Sequence, residues 1–436
     1  MKYPPIDSKL FVENRARFAA LLDPNSIAIF NSADVPPLSA DGTSHFTQNS
    51  DLFYLTGADQ EDTVLILCPN AKDAANREIL FVRETSELIA VWEGQKLSKE
   101  RATNVTGIAH VEWIDQLDHF LRRLMRETKN VYLNYNEHGR AGSPVETADD
   151  RFRKRCQSLH PDHHYKRPAP LLHKLRAVKS AVETELTQKA CDITDAGFRR
   201  VLSWLKPEVM EYEIEAEFSH EFLRSASNGF AYQPIIASGA NACVLHYLTN
   251  DHRCEDGEML LMDVGAEFAN YNADMTRTIP VNGRFTERQR AVYGAVHRTL
   301  NTCIDELIQP GVKIKDYQKQ AAVIVEEELL ELGLLDGKKV ALERNQSDLK
   351  EEHKSYRQYF MHGVSHSLGL DVHDVTPADP VFQENMIVTV EPGIYIREEN
   401  LGLRLENNIV VKKSGNIDLM GHIPIEPDEI ENLMNS

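Results

Sequence analysis

Apolar runs and segments of helical spacing alternate along the first third of this 436-residue chain. Four short runs rich in Val, Ile, Leu and Phe have the length and composition of β-strands: residues 26–30, 63–68, 78–82 and 130–135. Between them, residues 8–22 and 113–127 place their apolar positions three or four apart, which predicts helices. This alternation predicts an α/β domain.

A polar segment rich in proline and histidine, residues 161–170, follows these elements. Such a composition is typical of a domain boundary, so we expect one domain over residues 1–170 and a second over residues 171–436. His163 and His164 lie in this segment without flanking apolar strands. We therefore interpret them as solvated linker residues rather than as metal ligands.

The second domain contains several segments of helical spacing, which predict amphipathic helices: residues 186–205, 214–222, 286–308 and 316–333. Their apolar stripes indicate core packing rather than a cofactor site. The polar stretch 343–357 predicts an exposed loop or helix edge. These helices flank two pairs of apolar strands, and each strand carries one acid.

The two strand pairs resemble each other, which suggests an internal duplication. Their strands and acids are residues 260–265 with Asp263, 272–277 with Asp274, 387–393 with Glu391 and 402–407 with Glu406. Four carboxylates buried together repel one another and lose hydration, which costs several kcal/mol for each uncompensated ion. A pair of metal ions is the simplest arrangement that makes such a cluster tolerable. The pattern therefore predicts a dinuclear metallohydrolase.

Composition and charge narrow the possible partners and compartment. The formal net charge of −19 argues against a nucleic acid or an anionic membrane as the main partner. We see no signal peptide and no apolar stretch of membrane-spanning length. The six cysteines contain no Cys-x-x-Cys pair, which is typical of reduced, structural thiols. We expect a cytoplasmic protein.

A hard divalent cation also accepts imidazole, and the candidate donors lie in residues 362–374. His362 and His366 have the spacing of a helical zinc pair. Gly363 and Gly369 disfavour a helix there, and no Glu follows His362, so we reject that interpretation. His366 fits better as a single ligand, with His362 and His373 further from the metal.

Each of these residues has an ordinary structural explanation when it is taken alone. An Asp near a strand end is usually a turn cap, and a His beside Gly is usually a hydrogen-bonded structural residue. Asp371 and Asp374 fit turn positions better than ligand positions. The joint occurrence of four acids and His366 in matching strand pairs and a glycine-rich segment favours a metal centre.

Four segments in this order resemble the pita-bread metallopeptidases (family M24B), within them the branch that holds aminopeptidase P and prolidase. They are MDVGAEFANYNADMTRT (262–278), HGVSHSLGLDVHD (362–374), TVEPGIYI (389–396) and LGLRLENNIVV (401–411). The resemblance implies an α/β (α+β) protein, with an N-terminal α/β domain and a C-terminal pita-bread (creatinase/aminopeptidase-like) catalytic domain. It covers essentially the whole chain, because residues 47–57 resemble the N-terminal domain of aminopeptidase P and residues 175–180 the entry into the catalytic domain.

The resemblance also implies a metal site. Asp263 would bind one metal, His366 and Glu391 the other, and Asp274 and Glu406 would bridge them. The metals are two divalent ions, usually Mn²⁺, with Co²⁺ or Zn²⁺ as alternatives. A hydroxide bridging the two metals would be the nucleophile.

Further roles follow from the same resemblance. Glu391 would shuttle a proton, and His246 and His373 would be the two substrate histidines. The pocket for the residue after the scissile bond would be lined by His362, Arg404 and Tyr395. The substrates would be peptides with proline in the second position, whose tertiary amide general aminopeptidases handle poorly.

Trp92, in residues 90–94, resembles a tryptophan that aminopeptidase P points into a neighbouring subunit's active site. The alternative is that Trp92 packs within its own domain. We expect a homo-oligomer, either a dimer or a tetramer.

The chain departs from the family pattern in two loops. The segment after His373 lacks the glycine that usually follows His-Asp-Val, and the stretch between Tyr395 and Gly402 is shorter than in several aminopeptidases P. Three other functions stay open: a prolidase, a non-catalytic binding module or chaperone on the same fold, and a two-metal phosphatase. The segment at residues 48–57 favours aminopeptidase P over prolidase. The presence of all five ligands disfavours a non-catalytic relative, and the scarcity of nearby cations disfavours a phosphatase.

Overall fold

The computed structural model describes residues 2–139, 142, 144–346 and 348–436. It divides into two compact units, residues 3–176 and residues 177–436, and Lys2 belongs with the second. The helices of the first unit are α1 (Lys9–Ala19), α2 (Ser50–Thr56), α3 (Glu87–Glu93), α4 (Lys99–Thr106), α5 (Leu117–Met125), α6 (Ala148–Leu159) and α7 (Ala169–Ala177), whose last residue belongs to the second unit. Its strands are β1 (Ser26–Asn31), β2 (Val64–Leu67), β3 (Glu78–Val82), β4 (Val111–Trp113), β5 (Asn130–Leu133) and β6 (His164–Lys166).

The six strands of this unit form one mixed sheet in the order β4-β3-β2-β1-β5-β6. β1 pairs antiparallel with β2 and parallel with β5, and all of its residues are buried. Apolar side chains of the central strands pack against α5 and α6 through Leu121, Leu124 and Phe152. The four apolar runs identified in the sequence are β1, β2, β3 and β5.

Helix α2 shows why residues 47–57 form a compact local motif. The side chain of Asn49 accepts hydrogen bonds from the backbone N–H groups of Asp51 and Leu52, which caps the first turn. The helix ends at Gly57, whose φ of 66° lies in the left-handed region. A Cβ there would stand 2.2 Å from the Phe11 ring, so only glycine fits between this turn and α1.

The segment that the sequence predicts as a linker contains ordered structure. His164 begins the edge strand β6, which pairs parallel with β5, and α7 follows from Ala169. Nε2 of His163 lies 2.8 Å from the backbone oxygen of Met125. The exposed backbone of this edge strand explains its polar composition.

The second unit contains six helices and eleven strands among the described residues. The helices are α8 (Ala181–Trp204), α9 (Glu211–Arg224), α10 (Glu287–Thr302), α11 (Ile314–Glu331), α12 (Gly337–Arg344) and α13 (Pro427–Met434). The strands are β7 (Gly229–Phe230), β8 (Ile235–Ser238), β9 (Met259–Val264), β10 (Ala266–Phe268), β11 (Tyr271–Asn272), β12 (Met275–Pro280), β13 (Ile387–Val390), β14 (Gly393–Ile396), β15 (Leu401–Arg404), β16 (Asn407–Val410) and β17 (Ile417–Asp418).

The two strand pairs predicted from the sequence are present, and they share one construction. β9 pairs antiparallel with β12, and β13 pairs antiparallel with β16. Each pair has a smaller hairpin inserted between its strands: β10 with β11 in the first and β14 with β15 in the second. The acids lie where the long strands give way to these small hairpins.

All six cysteines are buried free thiols, as the sequence pattern indicates. Among the described residues, no helix combines the length and apolar character that crossing a bilayer requires.

Candidate metal centre

Hydrogen bonds between the two strand pairs bring their acids together. Asp274 directly precedes β12, and Glu406 directly precedes β16. The N–H of Glu406 donates to the carbonyl of Thr276, and the N–H of Asp274 donates to the Asn408 side chain. Because these bonds connect the same ends of the two pairs, Asp274 and Glu406 lie side by side.

His366 reaches the acids from a segment that runs along β13. The N–H of Thr389 donates to the carbonyl of His366, and the N–H of Glu391 donates to the carbonyl of Val364, both at 2.9 Å. The imidazole Nε2 lies 3.3 Å from Asp274 Oδ2 and 3.8 Å from Glu391 Oε1. Its Nδ1 lies 3.0 Å from the carbonyl of Ser367, which orients the ring so that Nε2 faces the carboxylates.

Burial and mutual repulsion perturb the protonation of these groups. Burial, together with the neighbouring carboxylates, raises the pKa of Glu406 well above its usual range. Burial also raises the pKa of Glu391 to about 7 and the pKa of Asp263 above its ordinary value. Although burial lowers the pKa of His366, the hydrogen bond with Asp274 and the charge of Glu391 raise it to about 9. The protein alone therefore holds extra protons where a cation would compensate the carboxylates.

The donor set fits divalent metal ions. Ligand atoms of Asp274, His366 and Glu406 all lie within 4.8 Å of one another. Glu406 accepts a 2.8 Å hydrogen bond from Thr276 through Oε2, whereas its buried Oε1 has no hydrogen-bond partner among the described residues. A buried carboxylate oxygen without a donor is costly, and a metal ion satisfies it. Four carboxylates and one imidazole are the ligand types that Mn²⁺ and similar cations accept.

Arg404 connects the acids to an adjoining series of hydrogen-bonded side chains. Its Nη2 lies 2.5 Å from Asp263 Oδ2, its Nε donates to Thr276, and its Nη1 donates to the Tyr395 hydroxyl at 2.7 Å. That hydroxyl lies 2.8 Å from Nε2 of His362, whose Nδ1 lies 2.7 Å from the carbonyl of Gly363.

The protonation state of His362 determines which group donates in each hydrogen bond of this series. Burial and the charge of Arg404 lower the pKa of His362 to about 3, so the ring is neutral near pH 7. Arg404 then donates to the Tyr395 oxygen, Tyr395 donates to Nε2 of His362, and Nδ1 donates to the carbonyl of Gly363. Each group then has one role in the hydrogen-bonded series. We call Arg404, Tyr395 and His362 the wall beside the acids.

The other candidate residues lie at different places. The ring of His373 is 4.3 Å from the ring of His366, centroid to centroid, and His373 is exposed. His246 lies on an exposed turn after a short 3₁₀ helix (Gly239–Cys243), and its charge contributes to the low pKa of His362. Trp92 belongs to α3 in the other unit and is 84% exposed.

Sequence reasoning missed Tyr232. Its hydroxyl lies 2.6 Å from Asp263 Oδ1 and 2.6 Å from Asp274 Oδ1. One O–H can donate to only one of these oxygens at a time, so Tyr232 bridges the two acids of the first strand pair. No local signal marks this residue, because it lies 31 positions before Asp263.

Asp374, which the sequence places at a turn, forms a fully buried ion pair with Lys179 at 2.8 Å. The pair anchors the segment that carries His373.

Residues 185–413 match the profile of metallopeptidase family M24, and residues 11–132 match that of the aminopeptidase P N-terminal domain. The chain belongs to metallopeptidase family M24. This membership confirms the resemblance drawn from the sequence, and the predicted α/β (α+β) fold class with its C-terminal pita-bread domain is also confirmed.

Several relatives match this M24 peptidase over nearly their full length. It is 34% identical to the Xaa-Pro aminopeptidase of Haemophilus influenzae, over 98% of this chain and 97% of that protein. It is 32% identical to the Xaa-Pro aminopeptidase of Escherichia coli, over 98% of both. The structure of zinc-substituted E. coli aminopeptidase P in complex with product superposes with a TM-score of 0.85, at 30% identity and over 99% of both chains.

Family membership makes the chain a divalent-metal-dependent peptidase, as the strand-borne acids predict. It also disfavours the phosphatase alternative.

Proposed function

We propose that this M24 peptidase is an Xaa-Pro aminopeptidase, which removes the first residue of peptides whose second residue is proline. The observation that carries the proposal is the centre of Asp263, Asp274, His366, Glu391 and Glu406 with the His362–Tyr395–Arg404 wall beside it. The names of the bacterial relatives and the aminopeptidase P type of the N-terminal domain support the same reaction.

We assign the metal ligands as the sequence predicts them. Asp263 would hold one ion, His366 and Glu391 the other, and Asp274 and Glu406 both. We propose Mn²⁺, with Co²⁺ and Zn²⁺ as alternatives that metal analysis would distinguish. The chemistry that such a pair supplies when bound is Lewis acidity, which makes water a nucleophile near neutral pH and polarises a carbonyl.

Glu391 is the acid best placed to move a proton. Its side chain is 21% exposed, whereas those of Asp263 and Asp274 are 14% and 7% exposed. Glu391 is therefore half-buried, with part of its side chain open to water and substrate. In our proposal it accepts the proton of the attacking water and returns it to the leaving proline nitrogen.

His373 and His246 are exposed donors on separate segments. We propose that they donate hydrogen bonds to the carbonyl oxygen and to the peptide as charge develops in the transition state. His373 lies against the His366 ring, so its position is tied to the metal ligands.

The wall of His362, Tyr395 and Arg404 would form the pocket for the proline ring. The rings of His362 and Tyr395 lie 5.5 Å apart, and Phe360 packs against His362 at 4.8 Å. These aromatic faces suit the apolar proline ring. The nitrogen of a proline in a peptide carries no N–H, so the pocket does not have to supply a hydrogen-bond acceptor for it.

We also propose a cytoplasmic homo-oligomer, a dimer or tetramer, in which Trp92 contacts a neighbouring subunit. The described side chains of α3 include no buried residue, and Leu88, Val91 and Trp92 are between 73% and 84% exposed. Light scattering of wild type and Trp92→Ala would test this. A shift to smaller particles in the variant supports the contact, and an unchanged mass contradicts it.

The reaction itself is tested with three peptides given to the purified, Mn²⁺-loaded protein. They are an Xaa-Pro-Xaa tripeptide, a matched Xaa-Ala-Xaa tripeptide and an Xaa-Pro dipeptide, with products identified by mass. Release of the first residue from the proline tripeptide, with little from the alanine control, supports the proposal. Cleavage of the dipeptide alone would indicate a prolidase, and no cleavage of any peptide would favour the non-catalytic alternative.

A further inference from the structure

Glu211 is a buried carboxylate outside the metal centre that accepts an unusually complete set of hydrogen bonds. It is the first residue of α9 and is 0% exposed. Oε1 accepts from the backbone N–H of Ser238 at 2.7 Å and from the Ser238 hydroxyl at 2.8 Å. Oε2 accepts from the Tyr247 hydroxyl at 2.8 Å and from the backbone N–H of His252 at 2.9 Å.

These bonds span the two ends of one segment. Residues 238–252 leave β8, pass through the short 3₁₀ helix and the exposed turn with His246, and return beside α9. The backbone N–H of Glu211 also donates to the carbonyl of His252 at 3.0 Å. One residue thus clasps both ends of the segment that carries His246.

The same segment packs tightly against the wall of the metal centre. A Cβ on Gly402 would stand 2.2 Å from the carbonyl oxygen of Ala242, so β15 and the 3₁₀ helix are in backbone contact. β15 carries Arg404. A small shift of the segment would therefore move His246 relative to the substrate pocket.

The hydrogen bonds that hold segment 238–252 depend on Glu211 being a carboxylate. Five donors converge on the two carboxylate oxygens: the four named above and the Asn241 side-chain amide, which lies 3.5 Å from Oε1. The N-terminus of α9 also favours the negative charge. Glutamine at position 211 has the same shape but only one accepting oxygen. Its NH₂ group would face the backbone N–H of either Ser238 or His252. Two facing donors cannot bond, so one end of the segment would be released.

We propose that Glu211 is a positioning residue for His246, holding the segment 238–252 so that the imidazole faces the substrate. The assignment of His246 to the substrate rests on the proposed function. The hold that Glu211 has on the segment concerns only the position of the His246 ring. That position can be measured without any reaction.

The test compares Glu211→Gln with Glu213→Gln as the matched control. Glu213 lies in the same turn of α9, is exposed, and accepts from the backbone N–H of Met210 without contacting segment 238–252. In Glu211→Gln we expect kcat to fall roughly 10- to 100-fold with unchanged metal content, because small misplacements of reacting groups cost about that much. Glu213→Gln should keep wild-type turnover.

A double-mutant cycle separates positioning from general stability. If Glu211 acts through His246, Glu211→Gln adds little loss in a His246→Ala background. Losses that multiply would overturn the proposal. Tyr247→Phe, which removes one clasp bond, should show a smaller loss that also vanishes in that background, and it serves if Glu211→Gln fails to fold.

A structural readout makes the outcome independent of catalysis. With ¹³C-labelled histidine, the His246 imidazole signal, assigned from its absence in His246→Ala, should shift or broaden in Glu211→Gln and not in Glu213→Gln. An unchanged signal would overturn the proposal even if turnover fell. Wild-type protein that cleaves no Xaa-Pro peptide, with the signal still shifted in Glu211→Gln, would refute the proposed function and leave the clasp supported.

Discussion

Asp149 provides a quantitative test of the energetics of the first unit. It lies in the first turn of α6, is 6% exposed, and accepts a 2.7 Å hydrogen bond from Asn31. Burial, with the nearby charge of Asp51, raises the pKa of Asp149 to about 7. We predict that Asp149→Asn removes a large pH dependence from the stability of this unit.

The sign follows from proton binding. The pKa of Asp in an unfolded chain is about 3.9, so between about pH 4 and pH 7 the folded unit binds more protons than the unfolded one. Its free energy of unfolding therefore falls as the pH rises through this window and stays low above it. The carboxyl destabilises the fold by about 1.5 kcal/mol at pH 5 and about 4 kcal/mol at pH 8. The N-terminus of α6 reduces that cost by up to about 1 kcal/mol.

Asparagine at position 149 carries no such charge. Its oxygen accepts from Asn31 as before. Its amide stands where Oδ2 of the acid accepts from Nδ2 of Asn49 and Nδ2 of Asn134, both at 3.4 Å. When the Asn134 amide turns over, the new amide donates to its buried Oδ1, which has no hydrogen-bond partner among the described residues. Relative to Asp149→Asn, wild type should lose about 1.5 to 2.5 kcal/mol of unfolding free energy between pH 5 and pH 8, the lower value if the α6 N-terminus acts in full.

The assay is urea unfolding followed by tryptophan fluorescence in a Trp204→Phe background. Trp92 and Trp113 both lie in the first unit, so the signal then reports that unit alone. Parallel pH profiles for the two proteins would refute the reasoning, because other titrating groups are common to both. A wild-type unit that gains stability from pH 5 to pH 8 relative to the variant would also refute it.

Three further predictions concern the metal centre. Glu406→Ala should lower metal affinity by at least roughly 10- to 100-fold and abolish turnover, because it removes the ligand that we propose the two ions share; full metal content by elemental analysis would contradict the bridging role. His373→Ala should retain metal while kcat falls roughly 100-fold or more; loss of metal would make His373 a ligand. Tyr395→Phe removes the hydroxyl between Arg404 and His362, so we expect KM for a proline tripeptide to rise roughly 10-fold, measured by initial rates with metal content as the control. An unchanged KM would exclude that wall from substrate binding.

The edge of the first sheet shows where pattern reading fails. β4 and β6 are three residues long, too short to display an alternation, and β6 carries the polar residues His164 and Lys166. Edge strands are often short and polar because a long apolar edge invites aggregation. The central strands were predictable because every face of them is buried.

Contacts between distant residues needed the folded structure. Arg404 and Asp263 are 141 positions apart, and Tyr232 contacts two acids with nothing in its neighbourhood to mark it. Similarly, Glu211 is one acid among many on an amphipathic helix until Ser238 and Tyr247 are brought to it. Such meetings depend on how the sheets and helices pack, which local spacing does not encode.

The sequence alone determined the alternating elements of the first domain, the two acid-bearing strand pairs and the family. This was possible because strands and helices bury side chains at different periods, so the spacing of apolar residues along the sequence indicates which element forms. Only the tertiary structure decided which groups touch. Arg404 connects Asp263 to Tyr395, which contacts His362, and among the described residues no donor reaches the buried Oε1 of Glu406. Those facts depend on hydrogen bonds between the two strand pairs, which join residues more than one hundred positions apart. The Thr276 hydroxyl donates to Glu406 Oε2, and the Thr278 hydroxyl donates to the carbonyl of Arg404.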